Sequence, residues 1–165
     1  MDFLNITNET EIEFQEIATK LFNEYAIITH NSEYRILEME FYWNSNTHID
    51  KSTYTRTHVE PKSGEWFFHY SGVDIALENK TSGGYGGILL RSIYDLNNKK
   101  VYKGPMVCAM RLFSGTNAFS DTIKTKIVPH NFTKTDIQKT ERIGLGKNAL
   151  ENGANKLQYR FVIKH

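Results

Sequence analysis

The chain is poor in cysteine: it has one, Cys108, in 165 residues. A single thiol excludes an intramolecular disulfide and fits a reducing compartment, so a cytoplasmic location is expected. No run of 18 apolar residues exists, so no membrane contact is expected. Met1 to Thr10 is polar and acidic, unlike a signal peptide. Charge of one sign is also lacking. Twenty Lys and Arg face nineteen Asp and Glu, leaving a net charge of +1 and a pI near 7.8. Total charge therefore does not point to nucleic acid, while a local basic patch stays compatible with these totals. Repeats and low-complexity tracts are absent.

What is present is the composition of a soluble globular protein, 39% hydrophobic and 24% charged. The length fits one domain over 1–165, expected as a monomer. Aromatics make up 13%, enough for an aromatic-lined pocket. The most informative stretch is Arg35 to Trp43. Leu37, Met39 and Phe41 alternate with Glu38, Glu40 and Tyr42, which predicts a half-buried strand. Its polar face carries two carboxylates and a tyrosine, successive ones roughly 6.5–7 Å apart. Two acids so close, beside aromatics, tend to push one pKa upward. An acid tuned that way serves as a general base. The same spacing also fits a solvated face with an ordinary Glu-x-Glu pair.

The remaining elements follow in chain order. Residues 1–9 read as a lead-in. Phe14, Ile17, Ala18, Leu21, Phe22 and Tyr25 form a helical stripe, and Thr10 with Glu13 is a capping-box start. A short strand follows over Ala26 to Thr29. Asn44 to Gly64 is a long polar loop holding His48-Ile-Asp50 and His58-Val-Glu60. A His/carboxylate set invites a metal, but the spacing matches no site signature and no Cys joins it, so no metal and no cofactor are expected. A loop of such length in a small domain is more often functional than idle. Strands are predicted at Glu65 to His69, Val73 to Glu78 and Ile88 to Tyr94. Trp66, Phe67 and Phe68 are large enough to stack on a planar ligand, or to be core. Four glycines at 83, 84, 86 and 87 lack the Lys-Ser/Thr of a P-loop. Arg91 lies inside an apolar run and needs a partner, a carboxylate or a ligand phosphate. Lys103-Gly-Pro105 opens a helix. Ile123 to Val128 resembles a strand, Thr133 to Lys139 a helical turn, Asn148 to Lys156 a polar loop and Leu157 to Ile163 the closing strand.

These elements, in this order, resemble the alkyladenine (3-methyladenine) DNA glycosylase family. Ile36-Leu-Glu-Met-Glu-Phe-Tyr42 resembles that family's Val-Glu-Thr-Glu-Ala-Tyr strand. Gly87-Ile-Leu-Leu-Arg-Ser-Ile93 resembles its Val-Leu-Leu-Arg-Ala strand, and Lys103-Gly-Pro105 its Ser-Gly-Pro helix start. Arg142-Ile-Gly-Leu-Gly146 and Leu157-Gln-Tyr-Arg-Phe-Val162 resemble its Arg-Val-Gly-Val-Gly and Leu-Arg-Phe-Tyr pair. The resemblance runs from about Ile17 to Ile163. It implies an α+β fold, a single domain with a curved, mainly antiparallel sheet flanked by helices.

The resemblance also implies chemistry: removal of a modified, alkylated purine from duplex DNA by hydrolysis of the N-glycosidic bond, with base flipping. Glu40 would activate the water and Arg91 would stand beside it. Tyr42 would stack the flipped base, with His48 across the pocket. Phe68, or His69 if the register slips by one, would be the second stacking aromatic. Glu38 would tune Glu40. The tyrosine that this family inserts into the DNA falls on Ser71, with Tyr70 beside it as substitute. A polar family residue that contacts the base falls on Glu78, a departure that sets an acid near phosphates. The other function class is a non-catalytic module, or one for a nucleoside or nucleotide, that keeps the pocket without the DNA grip.

Overall fold

The structure, a computed structural model, describes residues 2–117, 119, 124–151 and 153–164. It begins with helix α1, Glu11–Glu24. Thr10 caps it, its side chain accepting from the Glu13 backbone N–H at 3.2 Å. The Glu13 carboxylate reaches back further than a capping box requires, to the backbone N–H groups of Thr7, Asn8 and Glu9. The expected stripe is buried from Phe14 to Phe22, with Phe14 stacked on Phe41 at 5.1 Å, whereas Tyr25 is half-buried and begins the strand that follows.

The strands are β1 (Tyr25–Ile28), β2 (Glu33–Asn44), β3 (Trp66–His69), β4 (Gly72–Glu78), β5 (Tyr85–Asp95) and β6 (Lys100–Lys103). After helix α2 (Pro105–Phe113) come β7 (Lys126–Pro129), β8 (Ile137–Thr140), the short helix α3 (Lys147–Glu151) and β9 (Arg160–Ile163). Every strand pair is antiparallel, and the main path runs β3-β4-β5-β2-β1-β7. The result is a single α+β domain with a curled, half-barrel sheet and few helices. The two long strands, β2 and β5, pair along most of their length. Each also branches. β5 holds β4 over residues 85–89 and β6 over residues 92–95. On its other side β2 holds β1 over residues 33–34 and β9 over residues 38–40. Branching at mid-strand is how such a sheet curls. It brings β9, from the chain's end, against Glu38 and Glu40.

Successive side chains on a strand point to opposite faces. On β2, Met39, Phe41 and Trp43 are wholly buried in the core with Ile88, Leu90 and Phe161. Glu40, on the other face, is just as buried. The half-buried strand expected from alternation is therefore covered on both faces. Helix α2 starts where Gly72 approaches it. Gly72 has φ +151°, and a Cβ there would come within 2.9 Å of Pro105, so glycine lets the β3–β4 hairpin pass the helix. Burial pushes the Cys108 thiol on α2 up to about 12.

Several expectations are corrected. The expected lead-in over 1–9 is, from residue 2 on, part of the body: Asp2–Leu4 is a 3₁₀ turn, Leu4 and Ile6 are buried, and Ile6 N–H donates to the Glu78 carbonyl at 3.0 Å. The segment expected as a helical turn at Thr133 to Lys139 contains β8 instead, because Ile137 alternates against β9. The loop expected at Asn148 to Lys156 holds most of α3 and a 3₁₀ turn, Ala154–Lys156. The strand expected at Ile123 to Val128 begins outside the described residues and is seen as β7. β6, which sequence reasoning missed, pairs with the end of β5. Among the described residues no helix is long and apolar enough to cross a membrane.

Candidate active site

Pairing register gathers the site. Glu40 on β2 lies opposite Leu89 on β5, Tyr42 opposite Gly87, and Leu89 opposite Asp74 on β4. Directly opposed residues share a face, so Glu38, Glu40, Tyr42, Leu89, Arg91 and Asp74 all project to one side. Phe67 of β3, opposed to Asp74, and therefore His69 join them. Arg160 of β9 arrives opposite Glu40.

Glu40 is held by three donors. The Tyr42 hydroxyl donates to Oε2 at 2.8 Å and Arg91 Nη1 donates to the same oxygen at 3.1 Å. The Ile143 backbone N–H donates to Oε1 at 2.9 Å. Glu38 accepts from Arg91 Nε at 3.2 Å and from Arg160 Nε at 2.7 Å. Two carboxylates and two guanidiniums thus balance one another. Burial, with the nearby Glu40 charge, pushes the Tyr42 phenol far up, against the pull of Arg142 and Arg91. Its hydroxyl therefore stays protonated, and here it donates to Glu40.

Arg142 fixes the other side of Tyr42, its guanidinium 4.5 Å from the ring centroid. It donates to the carbonyls of Phe41 at 3.1 Å and Ala154 at 2.9 Å, and to Asp50 Oδ2 at 2.6 Å. That buried pair ties the long loop after β2 to the segment that supplies Ile143.

Over Tyr42 opens a cleft of about 320 Å³. Tyr42, Leu89 and Asp74 line it from the sheet, and Tyr54, His69 and Tyr70 from loop and hairpin. Gly144, Leu145 and Gly146 complete the lining. Tyr54 and His69 lie ring to ring at 4.1 Å. Burial pushes the Tyr54 hydroxyl up to about 12, although its hydrogen bond with Ser71 opposes this. His69 Nε2 is 2.9 Å from Asp74 Oδ1, and its Nδ1 accepts from the Ser71 backbone N–H at 3.2 Å. This fixes the tautomer: Nε2 carries the proton and donates to Asp74. Ser71, His69 and Asp74 follow one another in space, but they are not a nucleophilic triad. Nδ1 is already occupied by a backbone donor, and the Ser71 hydroxyl faces Tyr54 at 2.7 Å.

The structure thus brings Glu38, Glu40, Tyr42 and Arg91 together, and sets His69 and Tyr70 in the adjoining cleft. Glu40 and Arg91 are not in the lining; Glu40 lies behind the Tyr42 hydroxyl. Two proposed pocket residues stand elsewhere. His48 stacks on Tyr159 at 5.6 Å outside the cleft, because the loop turns at Ser45, whose hydroxyl accepts from the His48 backbone N–H. Phe68 points to the opposite face from His69 by strand alternation and packs against Phe113 at 4.6 Å. Ser71 is tied to Tyr54, and Glu78 lies 3.7 Å from Lys80 at the surface, outside the cleft. The carboxylate that β4 does send into the cleft is Asp74. Asp50 of the His-x-Asp pair belongs to Arg142, while His58 and Glu60 are exposed. No group of three His, Cys, Asp or Glu side chains converges among the described residues.

Sequence reasoning missed Asp74, Tyr54, Arg142 and Arg160 as site residues. For Asp74 a signal existed: a charged residue inside the apolar run Val73-Asp-Ile-Ala-Leu77 needs a partner, as Arg91 does. Tyr54 carries no such signal, since it stands in a loop without periodicity.

No protein-family model matches the chain. It is similar to an uncharacterized protein of Acanthamoeba polyphaga mimivirus, 25% identical over 151 residues, a match covering 74% of this chain and 60% of that protein. The chain therefore spans less than two thirds of the length of this relative.

Proposed function

We propose that the cleft receives a modified purine turned out of duplex DNA, and that Glu40 drives hydrolysis of its N-glycosidic bond. The observation that carries this reading is Glu40 itself, a wholly buried carboxylate one hydrogen bond behind an aromatic-lined cleft and 3.1 Å from a guanidinium. The base stacks on Tyr42, with Tyr54 and His69 as further aromatic walls. As the base settles, the Tyr42 hydroxyl yields its place on Oε2 to a water. Oε2 takes that water's proton, and the water oxygen bonds to the anomeric carbon. The carbon–nitrogen bond breaks and its electron pair leaves with the base. Arg91 holds the carboxylate and the water in line. No covalent enzyme intermediate forms. Tyr70, 85% exposed at the cleft's edge, is the aromatic placed to fill the gap in the stack.

A second reading, a base-binding module without catalysis, is favoured by one observation: all three donors already satisfy Glu40, which has no exposed surface. The two readings separate in one experiment. The protein is incubated with duplexes carrying single modified purines, and abasic sites are counted. The enzymatic reading expects release, and Glu40→Gln is expected to slow it about 100-fold or more while leaving the fold intact. Unchanged turnover in Glu40→Gln removes Glu40 from its role. Retention of such duplexes without release hands the site to the binding reading.

A further inference from the structure

The cleft contains a charge that the hydrolysis does not use. Asp74 is 3% exposed and lines the cleft, with Oδ1 accepting from His69 Nε2 at 2.9 Å. Among the described residues no donor is placed on its other oxygen, Oδ2. The sequence makes room for that oxygen: a Cβ on Gly87 would come within 2.4 Å of it. Arg56 is close enough for its charge to act on Asp74, but among the described residues no hydrogen bond joins the two, and its Nη1 is buried without a partner. Its guanidinium donates to the Gly86 carbonyl at 2.5 Å and stacks on Phe67 at 4.0 Å. His69 has its two ring nitrogens engaged, Nε2 with Asp74 Oδ1 and Nδ1 with the Ser71 backbone N–H, so it does not reach Oδ2. A buried carboxylate with an open lone pair, aimed into an aromatic cleft, wants N–H donors from whatever fills the cleft.

We propose that Asp74 is a specificity residue that selects purines presenting adjacent ring and exocyclic N–H donors, the N1–H and 2-amino edge of a guanine-type base. The site is the one described above, and the inference rests on that reading only in placing a purine there. Stacking on Tyr42 and Tyr54 accepts any planar base, because every base has a π-face. Discrimination must come from polar groups, and Asp74 is the carboxylate on the cleft's lining. Hypoxanthine keeps N1–H but lacks the amino group, leaving a carboxylate lone pair without its donor. Adenine offers an acceptor at N1 and is repelled there. A buried acceptor left unpaired by the wrong ligand is a strong source of selectivity.

The test uses the intact chain and two near-isosteric probes, guanosine and inosine, with dissociation constants measured by calorimetry. Guanosine is expected to bind roughly 5- to 100-fold more tightly than inosine, the range for one well-placed edge contact. Asp74→Asn is expected to close most of that gap. Gly87→Ala, which keeps the carboxylate but displaces it, is expected to narrow it as well, so the proposal survives a variant that folds poorly. Equal affinity for the two nucleosides in the wild type, or failure to bind guanosine, overturns the proposal. A gap that persists in well-folded Asp74→Asn removes Asp74 from the role. Failure to release bases from DNA would sink the hydrolytic reading and leave this preference standing.

Discussion

Two arginines flank Tyr42, and they are built differently. Arg142 and Asp50 form a one-to-one pair with no side-chain exposure on either partner. Arg91 is 15% exposed and bridges two carboxylates, Glu38 and Glu40, of which Glu38 also pairs with the 21%-exposed Arg160. The first pair is closed: a charge taken out of water, met by one opposite charge and two carbonyls. Such a pair contributes little net stability over a well-packed apolar replacement, but breaking it strands a buried charge. The second cluster keeps an edge toward solvent and lies behind the Tyr42 hydroxyl, one hydrogen bond from the cleft. Its members have more than one partner, so losing one is partly compensated. The contrast separates what holds the cleft's frame from what is available for chemistry.

The largest effect is expected where no substitute partner exists. Arg142→Met leaves Asp50 buried without its cation and takes one donor from each of the carbonyls of Phe41 and Ala154. Urea unfolding should show a loss of about 3–5 kcal/mol. A loss below about 1 kcal/mol would erase the distinction between the two arginines. Arg91→Met is expected to cost less, about 1.5–3 kcal/mol, the range for a hydrogen bond to a charged group. Glu40 keeps the Tyr42 hydroxyl and Ile143 N–H, and Glu38 keeps Arg160. Under the enzymatic reading Arg91→Met should lower turnover more than its stability loss explains, whereas Arg142→Met should act mainly through stability. Arg160→Ala, at the cluster's open edge, should cost no more than about 1 kcal/mol. A cost as large as that of Arg142→Met would mean that the cluster is as closed as the pair.

This division explains what the sequence disclosed. Period-two alternation placed Glu38, Glu40 and Tyr42 on one face of a strand, and strand geometry alone brings them together. Arg91 announced itself as a charge in an apolar run, and it found the carboxylate partners that such a position demands. The 3.6-residue stripe on α1 and its Thr10 cap were equally local signals. Asn44 to Gly64 was legible as a long polar loop, but not where its residues go. His48 and Tyr54 carry no period; they are placed by Ser45, by Asp50 and by an arginine 92 residues further on. The choice between Phe68 and His69 turned on a one-residue register, which reverses the face of a side chain. Arg160 could be joined to Glu38 only through the branch of β2 onto β9, and no local pattern encodes a branch.

The smallest expected effect concerns His48, on the closed pair's side of Tyr42. Burial first, with help from the Arg142 charge, lowers its proton affinity below the ordinary imidazole range, while Asp50 and Glu9 pull the other way. Tyr159 covers one side of the ring, with its hydroxyl 3.5 Å from Nε2. The linkage has a definite sign. As pH falls through about 6.5, the ordinary value, the unfolded imidazole takes a proton before the folded one does. The unfolded state then binds more protons, so this residue makes stability rise with pH and fall on acidification. The slope from a single site cannot exceed one proton, about 1.4 kcal/mol per pH unit. Urea unfolding between pH 7.5 and about pH 5 should therefore show a shallower loss in His48→Gln than in the wild type. The wild-type stability minus that of the variant should fall towards the acid end, because the variant has no imidazole to charge. Parallel curves would mean that His48 titrates alike in both states. In that case the closed arginine pair does not extend its influence to the loop's histidine, and the boundary between frame and chemistry lies nearer to Tyr42.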